Sequence, residues 1–353
     1  MPTRTLGRTG LAVSVLGVGT AGLGGMFTGV PVKDVVGTLN AAWDAGIKFF
    51  DTAPMYGLGK LELLVGHVLR QRQEEGGGSD FVLSSKVGRL MILERPGRKI
   101  ENRLPPNPYD PGWVGALPFE EVFDYSYDGV MRSFDDSLAR LGLGRIDILQ
   151  IHDIGRETHG ALHDRHWGAL TRGGGFRALE ELRGAGLIRA IGVGANEVGV
   201  IRDAIEEFDL DCCLVAGRYT LLDQAAIVTL LPLAQKRRVA VVIGGPFNSG
   251  ILAAPAGAPR KFNYRDADEG TIRRYEAIAG ICAQHNVPVP AAALQFPLAH
   301  PAVATVLVGC RTPEELRQAA AWVQAPIPGA LWAALKAGDL LNSAAVVPSR
   351  YSA

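Results

Sequence analysis

Cysteine is scarce in this chain of 353 residues, which has only Cys212, Cys213, Cys282 and Cys310. Their number and spacing exclude a disulfide-stapled secreted scaffold and a cysteine-based zinc site, and they read as reduced and mostly buried. Neither sign of charge is in excess, because 36 Lys+Arg meet 36 Asp+Glu. No basic run carries interleaved aromatics, so no nucleic-acid partner is expected. No apolar run approaches the ~20 residues that span a bilayer, and the stretch from Met1 to Arg8 lacks the apolar segment of a signal peptide. A cytoplasmic protein without a membrane partner is expected.

The sequence does have rhythm. Its 47% apolar and 20% charged residues are those of a globular protein, and short strand-like runs alternate with amphipathic stretches. Strands are expected at 14–20, 48–51, 81–87, 146–151, 188–193, 212–216, 239–243 and 304–308, most followed by a helical pattern. In the third of these connections Tyr127, Met131, Phe134, Leu138 and Leu141 share one helical face. Eight βα units in a chain of this size predict an α/β fold, a single (β/α)8 TIM barrel over residues 1–353 with long substrate loops. A doubly wound sheet is the runner-up. The glycines Gly17, Gly19 and Gly22 match a dinucleotide fingerprint by chance, because no acid follows a second strand in the required way.

Two connections are irregular. Residues 88–123 hold six prolines and no sustained period, which is too long for an ordinary connection and predicts a functional loop. Within it Tyr109 and Trp113 either stack on a substrate or anchor the loop. The second irregular loop runs to Thr171 and contains His159, His163 and His166. These histidines are expected to be surface groups rather than a metal site, and no metal is expected.

In an eight-fold barrel the site lies at the carboxyl ends of the strands. Phe49-Phe50-Asp51-Thr52-Ala53-Pro54-Met55-Tyr56-Gly57 places an acid at the end of the second strand and a phenol five residues on. Alone, that acid could equally tie down a loop. The third strand brings Lys86 and the fourth delivers His152, and four such groups from adjacent strands can converge. A tyrosine whose pKa is lowered by an ammonium, with Asp51 holding Lys86 charged and His152 bonding a substrate oxygen, suits proton transfer coupled to hydride transfer. A Schiff-base lyase working through Lys86 is a further possibility.

At these residues the chain resembles the aldo-keto reductases, from Leu6-Gly7-Arg8-Thr9-Gly10 to the loop after the eighth strand. The resemblance implies that Asp51, Tyr56, Lys86 and His152 are a catalytic tetrad, with Tyr56 as general acid or base and a nicotinamide cofactor lying across the barrel mouth. Within the family the stretches 192–197, 216–223 and 244–250 resemble dehydrogenases of D-threo-aldoses and of pyridoxal. The implied reaction is oxidation of the C1 hydroxyl of an aldose to a lactone. The alternatives are oxidation of pyridoxal, NADPH-dependent reduction of a small aldehyde, and a cofactor-sensing channel subunit.

The same resemblance assigns cofactor contacts to Thr20, Asp51, Asn196, Tyr219, Gly245, Pro246, Phe247, Gly250, Gly309, Arg311, Thr312 and Glu315. Tyr56, His152 and Trp113 are implied to meet a small-molecule substrate, a sugar or an aldehyde. Gly244 stands where many members carry a tyrosine over the nicotinamide, and Ala216 where many carry a glutamine. Glu315 occupies the place of an arginine common in NADP-dependent members, and a carboxylate there favours NAD, although Arg311 leaves NADP open.

Overall fold

The computed structural model describes residues 1–93, 112–255 and 257–348; Tyr109 lies outside them. Eight parallel strands close into a barrel: β1 (Leu16–Gly19), β2 (Phe49–Asp51), β3 (Val82–Val87), β4 (Ile148–His152), β5 (Ala190–Ala195), β6 (Cys212–Ala216), β7 (Ala240–Gly244) and β8 (Val303–Val308). The order around the barrel is sequential, and β8 pairs with β1 to close it. The expected TIM barrel is therefore the fold.

The residue alternation of each strand builds two cores. Phe49, Val82, Ile148, Cys212, Leu214 and Val242 point inward and fill the barrel, with Leu6, Leu11 and Val13 of an N-terminal hairpin closing its lower end. The intervening residues, such as Phe50, Leu83, Leu149 and Val241, point outward against the helices. Helix α1 (Val32–Asp44) follows β1 and α2 (Lys60–Arg72) follows β2. Helix α3 (Tyr127–Leu141) follows β3; Ser126 caps it by accepting from the Gly129 N–H, and Gly142 ends it in the left-handed region. The expected helical face of α3 is the one that buries Phe134 and Leu141.

The structure departs from the sequence reading in three places. The first predicted strand is two, because Ala12–Ser14 pairs with Thr3–Thr5 in the hairpin before β1 enters the barrel. Arg89–Ile92 and Glu120–Phe123, at the two ends of the proline-rich connection, pair as an antiparallel ribbon. The stretch after β4 is largely helical, at Arg156–His159 and His163–Leu170. Its inward face consists of His159, His163, His166 and Leu170, all buried, so the helical period is carried by histidines that a hydrophobicity pattern does not count. These histidines are not surface groups.

Candidate active site

Strand register brings the polar residues together. Asp51 pairs with Ser84, Lys86 with Gln150 and His152 with Gly194, so three neighbouring strands each present their last inward residue at the carboxyl end of the barrel. Lys86 Nζ donates to Asp51 Oδ2 at 2.6 Å and to the Thr52 carbonyl at 2.9 Å. Asp51 Oδ1 accepts from Ser84 Oγ at 2.9 Å and Gln150 Nε2 at 3.2 Å. Ser84 and Gln150 thus fix the carboxylate that fixes Lys86. The sequence reading passed over both, although a glutamine on the inward side of an otherwise apolar strand is a signal. Gly194 makes room for this layer, since a Cβ there would meet Gln150 Oε1 at 3.1 Å.

The Tyr56 ring sits with Lys86 Nζ 4.9 Å from its centroid and the His152 ring edge-on at 6.1 Å. The Lys86 ammonium pulls the phenol toward its ionised form. The expected lowering of the tyrosine pKa is not what the protein alone does. Burial dominates and pushes Tyr56 up to about 12, and the opposing pull of Lys86 recovers only part of the shift. Burial also pulls on Lys86, but Asp51 and Tyr56 outweigh it and the net shift is upward. The amine is therefore a held cation, the opposite of a Schiff-base nucleophile. Burial together with Arg89 and Lys86 holds His152 well below its ordinary value, so it is neutral.

A cavity of about 290 Å³ opens over Asp51 and Tyr56. Gly19, Gly22, Gly217, Gly244, Gly245 and Gly309 line it, and glycine lining exposes backbone instead of side chain. Of the residues expected at a cofactor, Asp51, Asn196, Gly245, Pro246, Phe247, Gly250, Gly309 and Arg311 line this cavity. Thr20 does not; its hydroxyl is buried and donates to the Asp51 carbonyl at 3.0 Å, tying β1 to β2. Tyr219 does not either, because it is fully buried against Phe296 and His300.

Thr312 and Glu315 do not line the cavity; they lie just beyond Arg311, where Thr312 caps the helix Pro313–Trp322. Glu315 lies one turn in and reaches back to accept from the Arg311 N–H at 2.7 Å. Ala216 and Gly244 face one another in register, and a Cβ on Gly244 would press to 2.9 Å from Leu214, so a tyrosine there would need a different floor.

Trp113 lies 5.7 Å from the Tyr56 ring, centroid to centroid. Its backbone bridges Met26, and the Val114 N–H donates to the Gly25 carbonyl at 3.0 Å. Gly25 is required for this approach: its φ is 99°, and a Cβ would fall 2.2 Å from the Val114 carbonyl. Of the residues expected at the substrate, Tyr56 lines the cavity while Trp113 and His152 lie behind it against the Tyr56 ring; Met26, Phe27 and Tyr264 line it too, and the sequence reading named none of these three as site residues. Tyr264 reaches the site from a two-residue turn in which both Asn263 and Tyr264 have positive φ. Among the described residues no group of three or more His, Cys, Asp or Glu could hold a metal ion, and no helix is long and apolar enough to cross a membrane.

A closed parallel barrel with a buried lysine–aspartate pair, a tyrosine and a neutral histidine at its carboxyl end is an arrangement able to exchange a proton with a bound oxygen. The Aldo/keto reductase family model matches residues 15–338, and the chain belongs to that family. It is 55% identical to pyridoxal 4-dehydrogenase of Microbacterium luteolum over 339 residues, covering 96% of this chain and 98% of that one. It is 37% identical to D-threo-aldose 1-dehydrogenase of a Pseudomonas species, covering 94% and 96%. Among solved structures, an aldo-keto reductase of Bacillus halodurans in its holo form superposes with a TM-score of 0.72 at 25% identity over the full length of both chains.

Proposed function

We propose that the protein oxidises the cyclic hemiacetal of pyridoxal to a lactone, with NAD as hydride acceptor. The 4-aldehyde of pyridoxal closes on its neighbouring hydroxymethyl group, and removing hydride from the resulting carbinol carbon and a proton from its oxygen leaves a lactone. The observation that carries the chemistry is the buried Asp51–Lys86–Tyr56 chain beneath a glycine-lined cavity. The relative that supports the substrate is the pyridoxal enzyme. The aromatic side chains of Tyr56, Phe27 and Tyr264 in the cavity lining, with Trp113 against Tyr56, suit a flat ring.

A nicotinamide cofactor, when bound, supplies the hydride acceptor. The cavity fits such a group: glycines leave much of its lining as backbone, and Asn196 is among the polar residues that line it. The remaining work falls to the chain. The Tyr56 oxygen takes the hydroxyl proton, and Lys86 stabilises the phenolate that precedes it. Asp51 keeps Lys86 charged and in place. Neutral His152 donates a hydrogen bond to the reacting oxygen. Because burial holds Tyr56 near 12, oxidation should accelerate as the pH rises.

The preference for NAD rests on Glu315. Its carboxylate sits at the start of a helix, bound to the Arg311 N–H, and occupies with negative charge the kind of place a 2′-phosphate would need. Oxidation of an aldose at C1 is the second reading, supported by the D-threo-aldose relative. A steady-state screen of pyridoxal and L-fucose, each with NAD and NADP, tests both. The highest kcat/KM is expected for pyridoxal with NAD; a preference for L-fucose would move the substrate to the second reading.

A further inference from the structure

Directly after His152 the chain places a second charged group at the barrel mouth that proton transfer at Tyr56 does not use. Asp153 has a φ of 47°, in the left-handed region, and its N–H is tied to the Gly194 carbonyl at 2.9 Å. This backbone keeps the carboxylate beside the site: Asp153 Oδ2 lies 3.4 Å from His152 Nε2. Its position is locked from behind by Arg89, a guanidinium only 1% exposed that donates to Asp153 Oδ2 at 2.6 Å and to Glu121 at 2.8 Å.

One carboxylate would neutralise Arg89, and Glu121 already provides it. The cluster therefore carries an extra negative charge at some expense, since a non-glycine residue is held at positive φ and a carboxylate is largely removed from water. Such an arrangement is explained when the extra carboxylate has a ligand to meet. Oδ2 is taken by Arg89, while Oδ1 accepts no hydrogen bond from the described residues. Through His152, whose ring meets Tyr56 edge-on, the carboxylate stands one side chain from the reacting phenol.

We propose that Asp153 is a specificity-determining residue that accepts a hydrogen bond from a substrate hydroxyl lying beside the reacting carbinol carbon. The proposal rests on the hemiacetal-oxidation reading and extends it. In an aldose the hydroxyl is that on C2; in pyridoxal it is the ring hydroxyl next to the reacting substituent. Glu121 and Arg89 are positioning residues that act through Asp153.

The test compares matched pairs with and without the neighbouring hydroxyl: pyridoxal against 3-deoxypyridoxal with NAD, and glycolaldehyde against acetaldehyde with NADH in the reductive direction. The wild type should favour the hydroxylated member by roughly 10- to 100-fold in kcat/KM, the range for a hydrogen bond to a charged group. In Asp153→Ala that preference should fall to within about threefold, the hydroxylated member losing more than its hydroxyl-free partner. Asp153→Asn, which leaves an oxygen for Arg89, should fold as the wild type and keep part of the preference. A wild type indifferent to the hydroxyl, or an Asp153→Ala variant that slows both members of a pair equally, would overturn the proposal. If pyridoxal is inert while the aldehyde pair shows the preference and its loss, the pyridoxal reading fails and the role of Asp153 stands.

Discussion

Replacing Lys86 with methionine removes the cation that makes Tyr56 usable as a base. The ammonium lies 4.9 Å from the ring centroid, and at an effective dielectric of about 20 a unit charge at that distance stabilises the phenolate by ~3 kcal/mol. That corresponds to about 2.5 pH units of tyrosine pKa, or roughly 300-fold in the fraction of phenolate. Because burial already holds Tyr56 near 12, the loss is not recovered within an accessible pH range. We expect kcat for oxidation to fall by two to three orders of magnitude (~10²–10³) between about pH 6 and pH 10. The assay is the pH profile of kcat, run beside cofactor titration and circular dichroism, because Asp51 is left buried without its cation and about 3–5 kcal/mol of stability goes with it. A folded, cofactor-binding Lys86→Met variant that works within tenfold of wild type at about pH 7 would refute the reasoning.

Other consequences follow from single residues. Glu315→Ala should improve kcat/KM with NADP by roughly tenfold while changing that with NAD little, read in paired steady-state assays; unchanged NADP use would remove Glu315 from cofactor selection. Gly25→Ala should lower the thermal midpoint and weaken substrate binding together, because its Cβ meets the Val114 carbonyl at 2.2 Å and the contact that seats Trp113 must open. His159 is held down to about 3, chiefly by burial. Below about 6.5 the unfolded chain takes up a proton that the folded chain refuses, so stability should fall as the pH drops from there toward 3. Urea midpoints across that range should slope more gently in His159→Gln, and identical slopes would contradict the burial of this ring.

The barrel was legible because period-two apolar runs and glycine- or proline-marked turns recur eight times, and strand order in a closed barrel follows chain order. The convergence of Asp51, Tyr56, Lys86 and His152 was legible because polar residues at strand ends stand out against Phe49-Phe50 and Ile148-Leu149. What the sequence hid were effects of burial and of distant contact. Nothing local says that Tyr56 is desolvated enough to raise its pKa, or that Tyr219 turns away from the cavity to pack on Phe296. Tyr264 enters the site from a turn far along the chain, and the helix at His163–Leu170 was hidden by a buried face made of histidine. Ser84 and Gln150 were visible as polar residues in apolar strands, but their role depends on the register that sets them beside Asp51.

The central claim is that Tyr56 takes a proton from a hemiacetal as hydride leaves for NAD. Its most direct measurement is product analysis from pyridoxal and NAD, with NADH read by absorbance and the organic product by mass, in wild type and Tyr56→Phe. Equimolar NADH and lactone from the wild type, with turnover reduced by several orders of magnitude (~10³ or more) in a Tyr56→Phe protein that still binds NAD, is the predicted result. Lactone formed at near wild-type rate by Tyr56→Phe would contradict it.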